Sequence, residues 1–144
     1  PQFRGTLEDR SEVLLNARQA QPDPENNDII NAEDVSGTIK QVDGAVITLQ
    51  TPNGYYDQTQ RMAEGFNGVI VTHSGGYTLT SDHIRAEMDR LDISTNSPVV
   101  IEGPDFRLEA GRMHLRDNGR PGSEHADFTQ GVKLVYTQSS NAEK

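Results

Sequence analysis

A glycine preceded by Asn, Asp or Gly recurs along this chain, as Asp43-Gly44, Asn53-Gly54, Asn67-Gly68, Gly75-Gly76 and Asn118-Gly119. Each pair supplies a residue that tolerates positive φ followed by one with no Cβ, the requirement of a tight hairpin turn. The first four pairs lie 10, 14 and 8 residues apart. Short strands at that spacing predict a sandwich or barrel. Between the pairs, apolar residues alternate: Ile47-x-Leu49, Val69-x-Val71, Tyr77-x-Leu79, Leu91-x-Ile93, Val99-x-Ile101, Phe106-x-Leu108 and Val132-x-Leu134-x-Tyr136. A period of two puts the members of each set on one face of a sheet. Ser97-Pro98 and Gly103-Pro104 bracket Val99-Val100-Ile101 and set the ends of that strand, because Pro cannot donate to a ladder.

The competing reading is disorder. Leu, Ile, Val and Phe make up 31 of 144 residues, the net charge is -9, and mean hydropathy is -0.70. Those values approach the range of chains that never bury a core. The preserved alternation argues for a folded domain over residues 35–137. Gln21 to Asn27, rich in Pro, Asp and Asn, reads as a loop, and Gln138 to Lys144 reads as a polar tail. Leu7 to Ala20 is the best helical candidate, but Val13-Leu14-Leu15 reads better as extended chain. The whole is one domain, residues 1–137, with the tail 138–144.

A loose repeat runs through the domain. Leu15, Leu49, Leu79 and Leu108 are each followed at +2 by a small residue (Ala17, Thr51, Ser81, Ala110) and at +5 by Ala20, Gly54, Ile84 or Met113. The last two copies also align Tyr77 with Phe106 and Ala86 with Leu115. Each unit reads as a strand, a small-residue kink and a second strand. Such units cannot cover their own apolar faces, so they stack into a twisted body.

Catalytic and metal signatures are absent from the local sequence. There is no Cys, and His73, His83, His114 and His125 show no ligand spacing. Ser81-Asp82-His83 holds the residue types of a triad, but strand geometry points adjacent side chains apart. His73-Ser74-Gly75-Gly76 lacks the G-x-S-x-G elbow that an oxyanion loop would serve, and reads as a turn. No catalytic residue, metal ligand or cofactor is therefore assigned. The scattered 13 basic residues and the negative charge argue against nucleic acid. No apolar run is long enough to span a bilayer as a helix.

The succession Gly68 to Thr72, Gly76 to Ser81, Ser97 to Pro104, Phe106 to Ala110 and Phe128 to Tyr136, with an opening Pro1-Gln-Phe-Arg-Gly5, resembles LptC, the inner-membrane-anchored periplasmic component of the lipopolysaccharide exporter, in the wider LptA/OstA-like β superfamily. The resemblance covers about residues 1–137 and rests on β-repeat patterns. It implies an all-β, twisted, slightly open β-jellyroll of stacked antiparallel strands, with acyl chains of lipopolysaccharide between its sheets. It also implies receipt of lipid from the inner-membrane ABC transporter (LptB, LptF and LptG) and delivery to LptA by strand pairing. The expected place is the periplasm, with an N-terminal anchoring helix outside this chain.

On that basis the expected lipid-facing residues are Ile47, Leu49, Val69, Val71, Leu79, Ile84, Ile93, Val99, Ile101, Leu108 and Met113. The expected partner strand is Gly131, Val132, Lys133, Leu134, Val135 and Tyr136, since an uncovered terminal strand invites β-augmentation. Two other readings stay open: an LptA-like bridge protein, and an interaction module that adds strands and binds no lipid.

Overall fold

The computed structural model describes residues 1–6, 10–90, 92–116 and 125–136. Among the described residues, twelve strands form a single antiparallel sheet that is twisted and jellyroll-like, and does not close into a barrel. They are β1 (Gln2–Thr6), β2 (Glu12–Asp23), β3 (Asn26–Lys40), β4 (Val46–Asp57), β5 (Met62–His73), β6 (Tyr77–Glu87), β7 (Asp92–Ser94), β8 (Val99–Gly103), β9 (Phe106–Ala110), β10 (Arg112–Arg116), β11 (His125–Thr129) and β12 (Lys133–Tyr136). Strands β1 to β6 form a meander in chain order. Beyond β6 the sheet divides. Thr78–Ser81 of β6 pair with β8, which continues to β9 and β12, whereas Arg85 and Ala86 pair with β7, which continues to β10 and β11.

The division marks a corner that crosses every long strand. On β3 it falls at Asp34, with φ of 51°, and on β5 at Asn67 and Gly68, with φ of 67° and 108°. Register shifts occur there between β4 and β5, at Gln50/Asn53, and between β5 and β6, at Phe66/Val69. Further along, the corner separates β7 from β8, β9 from β10 at Gly111, and β11 from β12 at Gln130 and Gly131, whose φ values are 63° and 87°. The Gly111 amide donates to the Gln130 carbonyl at 2.9 Å and ties two of these breaks together.

Side chains meet in the angle of the corner. Val99, Ala110 and Met113 form the buried cluster. Leu79, Ile101 and Leu108 pack on it from one arm, and Ile93, Leu115 and Phe128 from the other. The concave side has little room, which explains the small residues there. A Cβ on Gly65 would stand 2.9 Å from Val69 Cγ2 and 3.1 Å from Thr51 Oγ1, and one on Gly54 would stand 3.0 Å from Val35 Cγ2.

Several sequence expectations are revised. Asn53-Gly54 and Asn67-Gly68 make no hairpin turns; they lie inside β4 and β5 at the corner. The positive φ that Asn67 and Gly68 supply builds a bulge instead of a turn. The β4–β5 turn is Gln58 to Arg61, closed by Asp57. Its carboxylate accepts the Thr59 hydroxyl at 2.7 Å and the amides of Thr59 and Gln60. The Thr59 hydroxyl bond, then the backbone bonds, hold the Asp57 pKa below its ordinary value. Asp43-Gly44 and Gly75-Gly76 do sit at the β3–β4 and β5–β6 turns. Gln21 to Asn27 is largely strand, because β2 runs to Asp23 and β3 begins at Asn26, with Pro22 paired to Ile30. The expected strand at Leu91-x-Ile93 is β7 from Asp92; Leu91, Asn118-Gly119 and the tail 138–144 lie outside the described residues.

Met113 is buried between the arms and Leu49 is only half covered. Met113→Ala is therefore expected to lower unfolding free energy by about 2–5 kcal/mol, and Leu49→Ala by less than half as much. Urea denaturation of the two variants checks the difference.

Candidate functional site

Directly paired residues in an antiparallel ladder point to the same face, so the register traces rows across the whole sheet. One row runs Phe3, Leu15, Gly37, Leu49, Val71, Leu79, Ile101, Leu108, Leu134, crossing nine strands without a polar side chain. A second row runs Val13, Ile39, Ile47, His73, Tyr77, Gly103, Phe106, Tyr136. On the other flank of the first row, at the corner, lie Ala17, Val35, Thr51, Val69, Ser81, Val99 and Ala110. Beyond the corner come Ala20, Ala32, Gly54, Gly65 and Ile84, then Pro22, Ile30, Tyr56, Ala63, Ala86, Ile93, Leu115 and Ala126.

These rows explain the repeat. Leu15, Leu49, Leu79 and Leu108 share one row, their +2 residues share the next, and Ala20, Gly54 and Ile84 share the row past the bend. Alternation would send a +3 step from the small residue to the opposite face. The irregularity at the corner absorbs one residue, so the chain changes direction and the inner face stays inner.

All eleven expected lining residues lie on this inner face. Val69, Val99, Ile84 and Met113 are buried at the corner, while Ile47, Leu49, Val71, Leu79, Ile93, Ile101 and Leu108 are half-buried. Phe3, Leu15 and Leu134 belong to the same row and were not among those expected. Leu15 was visible through the repeat, whereas Phe3 and Leu134 join it only through edge pairing. The outer face carries polar pairs among scattered apolar residues such as Ile70 and Val135. Thr48 and Thr72 share a hydroxyl hydrogen bond, and the Arg107 guanidinium donates to Glu109 at 3.0 Å and Glu102 at 2.8 Å. The Glu109 bond, then the Glu102 bond, raise the Arg107 pKa above its ordinary value. Arg18 is raised likewise by Asp34 and then Glu33.

The last strand is shorter than the sequence suggests. Gly131 and Val132 precede β12, and Lys133 to Tyr136 pair with β9 on one side, with no described strand on the other. Leu134 is 49% and Tyr136 72% exposed. Two shallow depressions, of about 520 and 530 Å³, lie along the corner at Phe66, His83 and Asn96 and at Val35, Thr51 and Ile70. They do not lie over the half-buried rows.

The Ser81-Asp82-His83 step forms no nucleophile–base pair. The Ser81 hydroxyl donates to the His83 carbonyl at 3.0 Å and lies on the inner face. The buried His83 ring stacks at 5.3 Å on Phe66, its Nδ1 accepts the Asn96 amide at 3.4 Å, and its Nε2 meets Glu64 Oε2 at 2.6 Å. With Nδ1 accepting, Nε2 is the nitrogen that carries the proton and donates to Glu64. Both ring nitrogens are thus engaged in holding the corner. Among the described residues no three His, Cys, Asp or Glu gather as metal ligands, and no helix is long and apolar enough to cross a membrane.

This arrangement, one open sheet of bent hairpin repeats with a continuous apolar inner face, meets a family model, "Lipopolysaccharide-assembly, LptC-related", over residues 8–136. The chain belongs to the LptC family. No curated protein sequence matches it. The LptC family acts in lipopolysaccharide transport and outer-membrane biogenesis, as a periplasmic domain of an inner-membrane-anchored system and a transport component.

If His83 holds the LptC corner, His83→Leu leaves the Glu64 carboxylate without its partner. The expected loss is about 1–3 kcal/mol in chemical denaturation. A loss no larger than that of an exposed control such as His125→Leu removes the clamp from the account.

Proposed function

We propose that this LptC-family domain carries lipopolysaccharide on its inner face, with acyl chains laid along the row from Phe3 to Leu134. The observation that carries the reading is the half-burial of that row: large aliphatic side chains stand on a concave surface with partial cover. A monomer leaves contiguous apolar surface of this kind for a partner or a ligand. Each methylene moved from water onto such a surface contributes about 0.8 kcal/mol, so acyl chains supply the binding energy. The net charge of -9 opposes the lipid A phosphates, which stay outside the sheet in this arrangement.

In this reading the domain takes lipid from the inner-membrane transporter, LptB with LptF and LptG, and is held at that membrane by a helix preceding residue 1. It passes lipid to an LptA-like protein by strand addition at the outer edge of β12, where Leu134 keeps the apolar row continuous up to the junction. Ile47, Leu49, Val69, Val71, Leu79, Ile84, Ile93, Val99, Ile101, Leu108 and Met113 are the proposed lipid-facing set, and Lys133 to Tyr136 the proposed partner strand. The domain works as a conduit and not as an enzyme.

Photo-crosslinking in cells tests both halves. A crosslinker at Val71 or Leu79 is expected to trap lipopolysaccharide, while one at the neighbouring outer position Thr72 or Thr80 is not. Equal yields at inner and outer positions, or none at any, would sink the lipid assignment. A crosslinker at Val135 is expected to trap an LptA-like protein; trapping only from the β1 edge would relocate the exit.

A further inference from the structure

The row on the far side of the apolar track from the corner changes character along its length. On β2 to β4 it is aliphatic, with Val13, Ile39 and Ile47. From β5 to β12 it is aromatic: His73, Tyr77, Phe106 and Tyr136. Three of the rings, His73, Tyr77 and Phe106, are in contact in succession. His73 and Tyr77 stand 5.9 Å apart centre to centre and edge to face, and Tyr77 and Phe106 stand 6.0 Å apart. Gly103 occupies the position between Tyr77 and Phe106, and the Phe106 ring lies over it: a Cβ there would stand 2.3 Å from Phe106 Cε1. The glycine closes the gap that a side chain would otherwise open between the two rings.

The rim has polar tips. Tyr77 is 44% exposed, and its hydroxyl has no hydrogen-bond partner among the described residues. His73 Nδ1 accepts the Gly75 amide at 2.8 Å, which leaves Nε2–H free to donate. No Lys or Arg stands on this row or on the apolar row beside it. The nearest cation on β9, Arg107, is on the outer face and bound to Glu102 and Glu109. Without a cation the site gives a phosphate no charge to pair with. An aromatic platform with hydroxyl and imidazole N–H tips suits a hexose ring instead, whose C–H face is apolar and whose hydroxyls radiate from its edge.

We propose that this rim is a saccharide subsite, seating a sugar ring of an amphiphile whose acyl chains lie on the adjacent row. The proposal rests on the lipid reading above and adds which end of the sheet holds the head. It gives the bound molecule a direction, with the sugar at the β5–β6 and β8–β9 turns and the chains on the apolar row beside them.

The test uses two amphiphiles with the same twelve-carbon chain, dodecyl maltoside and dodecyl phosphate, each titrated below its micelle concentration against the full chain. The unaltered protein is expected to bind the maltoside about three- to tenfold more tightly, the size of one aromatic contact. Tyr77→Ala should erase that preference while leaving dodecyl phosphate affinity unchanged, and Tyr77→Phe should keep most of it. Phe106→Leu, which removes the neighbouring ring and keeps apolar volume, should reduce it too. Equal affinities in the unaltered protein, or equal losses for both amphiphiles in Tyr77→Ala, overturn the subsite and leave the lipid reading standing. Binding of neither amphiphile overturns both.

Discussion

Each long strand of this sheet has to turn a corner without turning its side chains over. Alternation is strict, so an odd step across the bend would carry the inner face of one arm to the outer face of the other unless the corner absorbs one residue. The chain meets this with the +3 step from Ala17 to Ala20, Thr51 to Gly54, Ser81 to Ile84 and Ala110 to Met113, and with positive φ at Asp34, Asn67 and Gln130. Everything else follows from that device. The buried cluster of Val99, Ala110 and Met113 exists because two arms face each other across the bend. The small residues at Gly54 and Gly65 exist because the concave side has no space for more.

The same constraint shapes the inner surface of the LptC-family domain. At the corner the inner face closes on itself and is filled by protein. Away from the corner the arms diverge, and Leu49, Val71, Leu79 and Leu108 are left half covered. The sheet ends at β1 and β12 instead of closing, so the apolar row reaches both edges, at Phe3 and Leu134. The structure thus combines enough buried area at the bend to hold the fold with an apolar row that reaches both edges. His83, held by Glu64, Asn96 and Phe66, braces the bend from the opposite side of the sheet.

Turn chemistry was the least secure guide in the sequence. Asn67-Gly68 carries the signature of a hairpin turn because Asn and Gly tolerate positive φ, but a bulge inside a strand needs the same dihedral angles. Local sequence cannot distinguish the two uses; only the continuation of pairing, from Phe66–His83 to Val69–Ser81, does. Gln21 to Asn27 misled for a related reason: its Pro and Asn are compatible with a strand end and a two-residue turn, and the neighbouring strands recruit it. The aromatic rim was half visible, since Tyr77 and Phe106 align in the repeat. Their contact depended on Gly103, whose role appears only when β8 lies between them.

The sequence by itself determined the period of two, the repeat of Leu, small residue and +5 partner, and thus an all-β chain with one apolar face, because these are properties of a strand and its immediate neighbours. Tertiary structure alone decided which face is inner, that the sheet bends instead of closing, and that the rows of nine strands join into one track. Those depend on register between segments distant in the chain, which each hydrogen-bonded ladder sets relative to the next and no single strand encodes.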